Sequence, residues 1–259
     1  MYAFDFEKPS TVAEAVAALG DEDAQALGGG QTLIPTLKQR LASPSKLVSL
    51  AGIAEMKGIS PGAGEMTIGG GSTHAEVAAD GTIAALSALA GNIGDPAVRN
   101  RGTIGGSLAN NDPAADYPAA ALAMNATIVT NAREIAADDF FDGLFTTALN
   151  EGEIITAVKV PQPLAANYQK FEQPASRFAL VGVCVARTAD GARVAVTGAS
   201  EDGVFRWAEA EAALNANFSA DALDGMAPGA DGMISDMHGS SAYRAHLVGV
   251  MARRAVAAC

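Results

Sequence analysis

The sequence is poor in cysteine, and this limits the kinds of site that it can hold. Its 259 residues include only two cysteines, Cys184 and Cys259. Structural zinc sites and iron–sulfur clusters bind through several thiolates, so neither is expected in this chain, and we predict no metal site. One disulfide would add little to a large apolar core, and reduced thiols in a cytosolic protein are the expectation.

Positive charge and aromatic residues are also scarce. Lysine and arginine number 17 against 29 aspartates and glutamates, which gives a formal net charge of −12, and aromatic residues make up 5%. Nucleic acids and anionic membranes recruit basic surfaces, so this balance argues against both as direct partners. No apolar run is long enough to span a bilayer, and residues 1–7 lack the features of a signal peptide. A cytoplasmic location is the expectation.

Glycine, by contrast, is abundant and grouped. The chain has 28 glycines, about 11%, where about 7% is usual. Gly28–Gly30 form one run, Gly69–Gly71 a second, and Gly102 with Gly105–Gly106 a third. Hydrophobic residues make up 49%, enough for a sizeable core, and the length suggests two domains with room for a small third piece.

Periodicity, caps and breakers predict a mixed α+β chain. Helices are expected over 11–19, 34–41, 73–79, 82–90, 116–124, 209–214 and 243–258. Strands are expected over 24–27, 46–50, 66–69, 127–130, 153–160, 180–187 and 193–198. The Asp190-Gly191 pair predicts a hairpin between the last two strands. We expect a linker over 161–167 and a loop over 226–239, with a C-terminal piece made of a small antiparallel sheet and helices.

The first glycine cluster has the residues that a phosphate site needs. A strand leads into Gly28–Gly30, and Thr32 precedes a helix. Glycines let the main chain approach an anion and turn its N–H groups inward, and the helix N-terminus adds a favourable dipole. The pattern is neither a Walker A loop nor the Rossmann fingerprint. A tight turn between strand and helix is the alternative, and for this run alone it is the favoured one.

The third cluster combines glycines with polar side chains. Thr103 and Ser107 offer hydroxyls, and Asp116 offers a carboxylate of the kind that takes ribose or ribityl hydroxyls near a glycine-rich phosphate site. A capped Asn/Asp loop is the alternative, which explains residues 110–113 better than 103–107. The second cluster is weaker, because Ser72 or Thr73 could cap the next helix and His74 could be a surface residue or contact a ligand.

An acid–base or nucleophilic set is missing. None of the three histidines has a serine, cysteine or carboxylate at the spacing of a known catalytic motif. The Asp138-Asp139 pair is typical of a helix start rather than of two catalytic carboxylates. A nucleotide site without such a set indicates that a cofactor carries the chemistry, and we predict no catalytic residue in this chain.

Together, the motifs resemble those of one family. Gly28-Gly29-Gly30-Gln31-Thr32-Leu33-Ile34-Pro35 followed by Lys38, and Thr103 to Ala109 with Asp112 to Asp116, are similar to segments of the FAD-binding subunit of the molybdenum hydroxylases. The medium subunit of carbon monoxide dehydrogenase and its relatives is the nearest likeness. The similarity extends over nearly the whole chain.

The resemblance implies a fold and a division into three parts. Residues 1–55 and 56–163 would be two FAD-binding subdomains of the vanillyl-alcohol-oxidase type, with FAD in the cleft between them. Residues 164–259 would be a C-terminal domain with an antiparallel sheet and helices, of the carbon monoxide dehydrogenase flavoprotein type.

The resemblance also implies site residues. Gly28 to Thr32 would bind the pyrophosphate through main-chain N–H groups, Thr103 to Ser107 its second face and the ribose, and Asp116 polar groups on the ribose or adenine side. Ile93, Ile155 and Lys170 would lie near the flavin ring. The full set is Leu27, Gly28, Gly29, Gly30, Gln31, Thr32, Leu33, Ile93, Thr103, Ile104, Gly105, Gly106, Ser107, Asp116, Ile155 and Lys170. No histidine precedes Thr73, so non-covalent FAD is expected.

Finally, the resemblance implies partners. A large subunit with a molybdenum cofactor would oxidise the substrate, and a small subunit with [2Fe-2S] clusters would pass the electrons to the FAD of this chain. The FAD subunit would then pass them to an external acceptor, and the whole would be a dimer of heterotrimers. The complex would be cytoplasmic, with attachment to the inner face of the membrane left open. The substrate (carbon monoxide, an aldehyde, a purine or another heterocycle) and the acceptor also stay open. Two alternatives remain: a stand-alone flavin oxidoreductase, and a flavin-free binding or assembly protein of the same fold.

Overall fold

A computed structural model describes residues 1–259, in which three sheets follow one another along the chain. The first is parallel, in the order β1-β3-β2, with β1 at Asp5–Glu7, β2 at Ala24–Leu27 and β3 at Lys46–Ser49. Helix α1 (Val12–Ala18) and helix α2 (Leu33–Lys38) connect its strands. The side chains of Thr11 and Glu14 form a capping box at the start of α1, where the sequence predicts a helix.

The second sheet has five strands paired antiparallel in the order β4-β5-β8-β6-β7. Its strands are β4 (Ile59–Pro61), β5 (Glu65–Gly69), β6 (Thr127–Thr130), β7 (Glu134–Ala136) and β8 (Ile155–Pro161). Five helices lie between β5 and β6: α3 (His74–Asp80), α4 (Ala84–Gly91), α5 (Pro96–Arg99), α6 (Ile104–Asn110) and α7 (Tyr117–Ala123). Thr73 caps α3 with Glu76 in a second capping box.

The third sheet is an antiparallel meander in the order β12-β11-β10-β9. Its strands are β9 (Ala165–Glu172), β10 (Ala179–Thr188), β11 (Gly191–Ser200) and β12 (Gly203–Arg206), followed by α8 (Ala208–Ala216) and α9 (Ser241–Ala257). The hairpin between β10 and β11 is the predicted one, and residues 226–239 contain no helix or strand, as expected.

Strand β10 is covered on both faces, which explains its unbroken apolar sequence. Val183 and Val185 belong to a core shared with α8 and α9. Cys184 and Ala186, which point the other way, belong to the core that contains α7 and the second sheet. Every residue of α7 is buried. The third sheet therefore packs against the second part of the chain through α7.

The predicted linker over 161–167 is wrong. Pro161 ends β8 and Ala165 begins β9, so only residues 162–164 join the two strands. The Leu164 N–H donates to Arg187 O, which holds even this short connection against β10. The prolines that suggested a linker lie at strand ends, where a missing N–H costs little.

Helix α6 is not among the predicted helices, and it contains the third glycine pair. Thr103 caps it and accepts a hydrogen bond from Gly106 N–H. Each glycine in a helix is about 1 kcal/mol less favourable than alanine, so composition alone favours a loop here. No helix of the protein has the length and apolar character needed to cross a membrane.

Candidate functional site

A cavity of about 850 Å³ is lined by the three glycine clusters. Its size is near the upper end of the roughly 300–1,000 Å³ range typical of small-molecule sites. The lining includes every residue of the set given above except Ile104 and Lys170. Ile104 is buried in the core, where it anchors α6. The Lys170 side chain is 1% exposed and lies behind the cavity wall.

The loop after β2 offers a row of free main-chain donors. The five consecutive N–H groups of Gly28 to Thr32 donate to no acceptor in the protein. Gly30 has a φ of +75°, a left-handed conformation that favours glycine and turns the chain into α2. Gly28 to Gly30 are half-buried and Gln31 and Thr32 are exposed, and a row of free N–H groups of this kind is typical of an anion site. This loop fits a pyrophosphate.

The third glycine cluster has fewer free main-chain N–H groups than the loop after β2. Ile104 N–H donates to Ser72 O at 3.1 Å, and Gly105 N–H donates to Gly70 O at 2.9 Å. Gly106 N–H is taken by the Thr103 hydroxyl oxygen at 3.1 Å. The main-chain N–H of Thr103, its hydroxyl hydrogen and the hydroxyl of Ser107 have no such partner and remain for a ligand on this side.

Close main-chain contacts explain why the glycines are grouped. A Cβ on Gly29 would lie 2.0 Å from Arg101 O, and a Cβ on Gly105 would lie 2.6 Å from Gly70 O. Gly70 in turn faces the main chain of β8, because its Cβ would lie 2.2 Å from Ile155 O. The three clusters touch one another, so the floor of the cavity is made of main chain that no side chain can enter.

The charges around the cavity favour an anion, although the whole chain is acidic. Lys57, Arg101 and Arg177 line it and take part in no salt bridge. Two of the four acidic side chains in the lining are paired with cations, Asp116 with Lys170 and Glu153 with Arg133. Glu76 and Asp112 accept hydrogen bonds from neutral donors and keep their charge. Three cations without a salt bridge therefore stand against two such carboxylates, a small positive excess that favours an anion.

Asp116 is held by protein donors rather than turned freely into the cavity. Its Oδ1 accepts a hydrogen bond of 2.5 Å from the Tyr168 hydroxyl and lies 3.2 Å from Lys170 Nζ. Burial raises the pKa of this carboxyl, while the Lys170 ammonium and the Tyr168 hydroxyl oppose that rise. The predicted contact of Asp116 with a ribose therefore competes with an internal network.

Sequence reasoning missed part of the wall. Ser176, Arg177 and Phe178, in the loop between β9 and β10, line the cavity, as do Lys57 and Arg101. Because the sequence predicts a linker and the start of a separate domain where β9 lies, it does not place the β9–β10 loop beside the glycine clusters. The sequence offers no signal for this loop, because the 48% exposure of Phe178 is known only from the structure.

His74 also lines the cavity and is 5% exposed. Its main-chain N–H donates to Gly102 O, and its Nδ1 has no hydrogen-bond partner in the protein. Burial, and then the charge of Arg99, lower the pKa of His74 from 6.5 to about 4.

The shifted pKa of His74 predicts an acid-sensitive fold. Below pH 6.5 the unfolded chain binds a proton that the folded chain refuses until pH falls to about 4. Stability should therefore decline across this window, by up to about 3 kcal/mol from this residue. Urea unfolding at several pH values should show a shallower decline in His74→Gln. His246→Gln, which changes an exposed histidine, is the control, and equal slopes in wild type and His74→Gln would contradict the assignment.

The fold and the cavity together define an FAD-binding protein. Residues 2–163 match the family described as FAD binding domain in molybdopterin dehydrogenase, and the chain belongs to this family. The carbon monoxide dehydrogenase medium chain of Afipia carboxidovorans is 34% identical over 98% of this chain and 96% of its own length. The nicotine 6-hydroxylase medium subunit of Paenarthrobacter nicotinovorans is 33% identical over 98% of this chain and 96% of its own length.

Solved structures agree with these relatives. A chain of the reconstituted CO dehydrogenase from Oligotropha carboxidovorans superposes with a TM-score of 0.88 at 32% identity, over 98% of this chain and 96% of that one. A chain of quinoline 2-oxidoreductase from Pseudomonas putida 86 gives a TM-score of 0.83 at 30% identity, over the same shares. The chain is thus an FAD-binding component of an oxidoreductase of this class, and the expected family is confirmed.

Proposed function

We propose that this chain is the flavin subunit of a molybdenum hydroxylase complex and that it holds FAD without a covalent bond. The five unpaired N–H groups of Gly28 to Thr32 carry the proposal, because they form a ready site for the pyrophosphate. The free cations Arg101 and Lys57 would add to the attraction. Thr103 and Ser107 would contribute hydroxyls from the adjoining wall, since a Cβ on Gly28 would lie 3.1 Å from Thr103 Oγ1.

The remaining walls suit the rest of the cofactor. Ile93 and Ile155 are apolar and line the cavity, as the resemblance implies for residues beside the flavin ring. Phe178, from the β9–β10 loop, adds an aromatic surface to the same cavity. When bound, FAD would supply the redox chemistry, taking electrons from one partner and releasing them to another. The chain's own residues would bind and orient the cofactor and shield it from water.

The partners belong to the same proposal. The relatives are named as medium chains or subunits of dehydrogenases and hydroxylases. We infer a large subunit with the molybdenum cofactor, a small subunit with [2Fe-2S] clusters that donates the electrons, assembly as a dimer of heterotrimers, and an external acceptor. Each of these would be supplied from outside this chain, which agrees with the absence of an acid–base set from its sequence.

We also propose the three-part division and the vanillyl-alcohol-oxidase type of subdomain arrangement. The three sheets support boundaries near residues 55 and 163, since they occupy residues 5–49, 59–161 and 165–206. The cavity supports a cofactor cleft, since its lining draws on β2 and its following loop as well as on α6 and β8.

Purification tests this function. The full chain, isolated from cells or mixed with FAD, should hold one equivalent of FAD that is released into the supernatant when the protein is denatured with acid. The complex recovered from the native host should contain two further subunits, with molybdenum and iron by metal analysis. A chain that binds no FAD would overturn the cofactor assignment, and a flavin-loaded chain recovered alone and without these metals would favour a stand-alone oxidoreductase.

A further inference from the structure

The Lys170 ammonium occupies the junction of two segments of the cavity wall. We propose that Lys170 is a positioning residue, which fixes the β9–β10 loop against residues 92–94 and thereby sets the wall that faces the cofactor. The proposal rests on the proposed function in one respect, namely that FAD occupies the cavity. The contact with the wall is independent of any ligand.

All three N–H groups of the ammonium have a protein acceptor within reach. Lys170 Nζ donates to Asn92 O at 2.8 Å and to Arg177 O at 2.9 Å. It also donates to Asp116 Oδ2 at 3.4 Å, and Asp116 Oδ1 lies 3.2 Å from the same nitrogen. A lysine ammonium has three donors and no acceptor, so its capacity is used up inside the protein. Lys170 therefore acts on the cavity through its neighbours and not by touching a ligand.

The two carbonyls belong to segments that line the cavity. Ile93 and Gly94 follow Asn92, and Arg177 itself lines the wall beside Phe178. The side chain of Arg177 strengthens the link, because its Nη1 donates to Gly94 O at 3.3 Å. One buried lysine, Lys170, thus links the β9–β10 loop to the end of α4.

The loop has little else to hold it. Within residues 173–178, the main-chain bonds are Gln173 N–H to Phe178 O and Arg177 N–H to Gln173 O. Arg177 has a φ of +61°, in the left-handed region that costs a residue with a side chain energy. The Lys170 contact to the carbonyl of this residue stabilises that conformation.

Lysine suits this position better than other residues would. Its three acceptors come from three different segments, and a compact ammonium can serve all of them at once, whereas the planar guanidinium of arginine requires acceptors in one plane. The nearby carboxylate of Asp116 offsets the buried charge. Removal of the lysine alone would leave Asp116 buried without a cation, so the test needs a second variant.

The rate of trypsin cleavage in the full chain without FAD reports directly on how firmly the β9–β10 loop is held. Lys170→Met should be cleaved after Arg177 roughly tenfold or more faster than wild type, because loss of a charge-assisted hydrogen bond raises the population of the open loop by that factor. Lys159→Met is the matched control, since Lys159 is a strand lysine in an exposed ion pair with Glu134. Lys170→Met/Asp116→Asn removes the buried charge imbalance and should show the same selective cleavage in a folded chain.

Mass spectrometry of the cleavage products separates a loosened loop from general unfolding. Selective cleavage after Arg177 in the double variant supports the proposal. Equal cleavage after Arg177 in wild type and in the double variant overturns it. An increase in cleavage after Arg206 as large as the increase after Arg177 also overturns it.

The visible absorption and fluorescence of bound FAD test whether Lys170 affects the position of the cofactor. With FAD bound, the double variant should show a shifted visible absorption band and a changed flavin fluorescence relative to Asp116→Asn, because Asp116 itself lines the cavity, while Lys159→Met should match wild type. Unchanged spectra would overturn the positioning role. If no form of the chain binds FAD, the proposed function fails, and the trypsin result still decides whether Lys170 holds the loop.

Discussion

Gly29→Ala should reduce FAD affinity roughly ten- to hundredfold, because an overpacking cost of about 1–3 kcal/mol at the binding loop corresponds to that range. The added Cβ would lie 2.0 Å from Arg101 O and 2.6 Å from Gly102 Cα, and both are main-chain atoms that cannot turn aside. The loop that carries the free N–H groups must therefore move away from α6. Titration of the full chain with FAD, followed by flavin fluorescence, measures the change.

The same substitution should also lower the free energy of unfolding, by about 1–3 kcal/mol, as overpacking does elsewhere. Gly229→Ala is the control, because a Cβ added to Gly229 would meet no atom within 4 Å and its φ is not left-handed. If Gly29→Ala bound FAD as tightly as Gly229→Ala, the glycines would not be needed for close main-chain contact at the cavity floor.

Arg244→Met should be among the most destabilising single changes in the third part of the chain, costing about 2–5 kcal/mol. Arg244 lies on α9 and is 3% exposed. Its Nη1 donates to Leu180 O and to Gly198 O, each at 2.7 Å. Removing the guanidinium leaves two buried carbonyls without a donor, at the point where α9 meets β10 and β11. The midpoint of urea unfolding reports the loss.

Arg253→Met is the control for this change, on the same helix. Arg253 pairs with Asp224 at 2.7 Å, but both side chains are about half exposed. Exposed ion pairs contribute about 0–1 kcal/mol, so this variant should unfold close to wild type. If the two variants lost the same stability, the buried carbonyl contacts of Arg244 would contribute nothing beyond an ordinary surface charge.

Much of the fold could be predicted because local signals and tertiary packing agree. The capping box at Thr11 and the hairpin at Asp190-Gly191 are encoded within a few residues, and both are present in the structure. Strand β9 could not be predicted in the same way. It is half-buried along most of its length, lacks a clear alternation, and follows prolines that favour a linker.

The residues that line the site could largely be predicted, but the role of each residue could be predicted less well. The glycine runs do line one cavity, yet the sequence could not show that they do so partly by touching one another. Nor could it distinguish the free main-chain donors at Gly28–Thr32 from the occupied ones at Ile104 and Gly105, since the acceptors of the latter, Ser72 O and Gly70 O, lie more than thirty residues away. The resemblance places Lys170 near the flavin, but its contacts lie behind the wall.

Helix α7 has a consequence for how such proteins can be recombined. Residues 2–163 match a family model by themselves, which suggests a module that could be moved between proteins. Yet the final helix of that stretch has no solvent-facing side, because the third sheet covers one side of it while α4, α6 and the turn at residues 137–139 pack against the rest. Exchanging residues 2–163 without the third sheet would expose this apolar helix to water. We therefore expect the two parts to be exchanged between proteins as one piece.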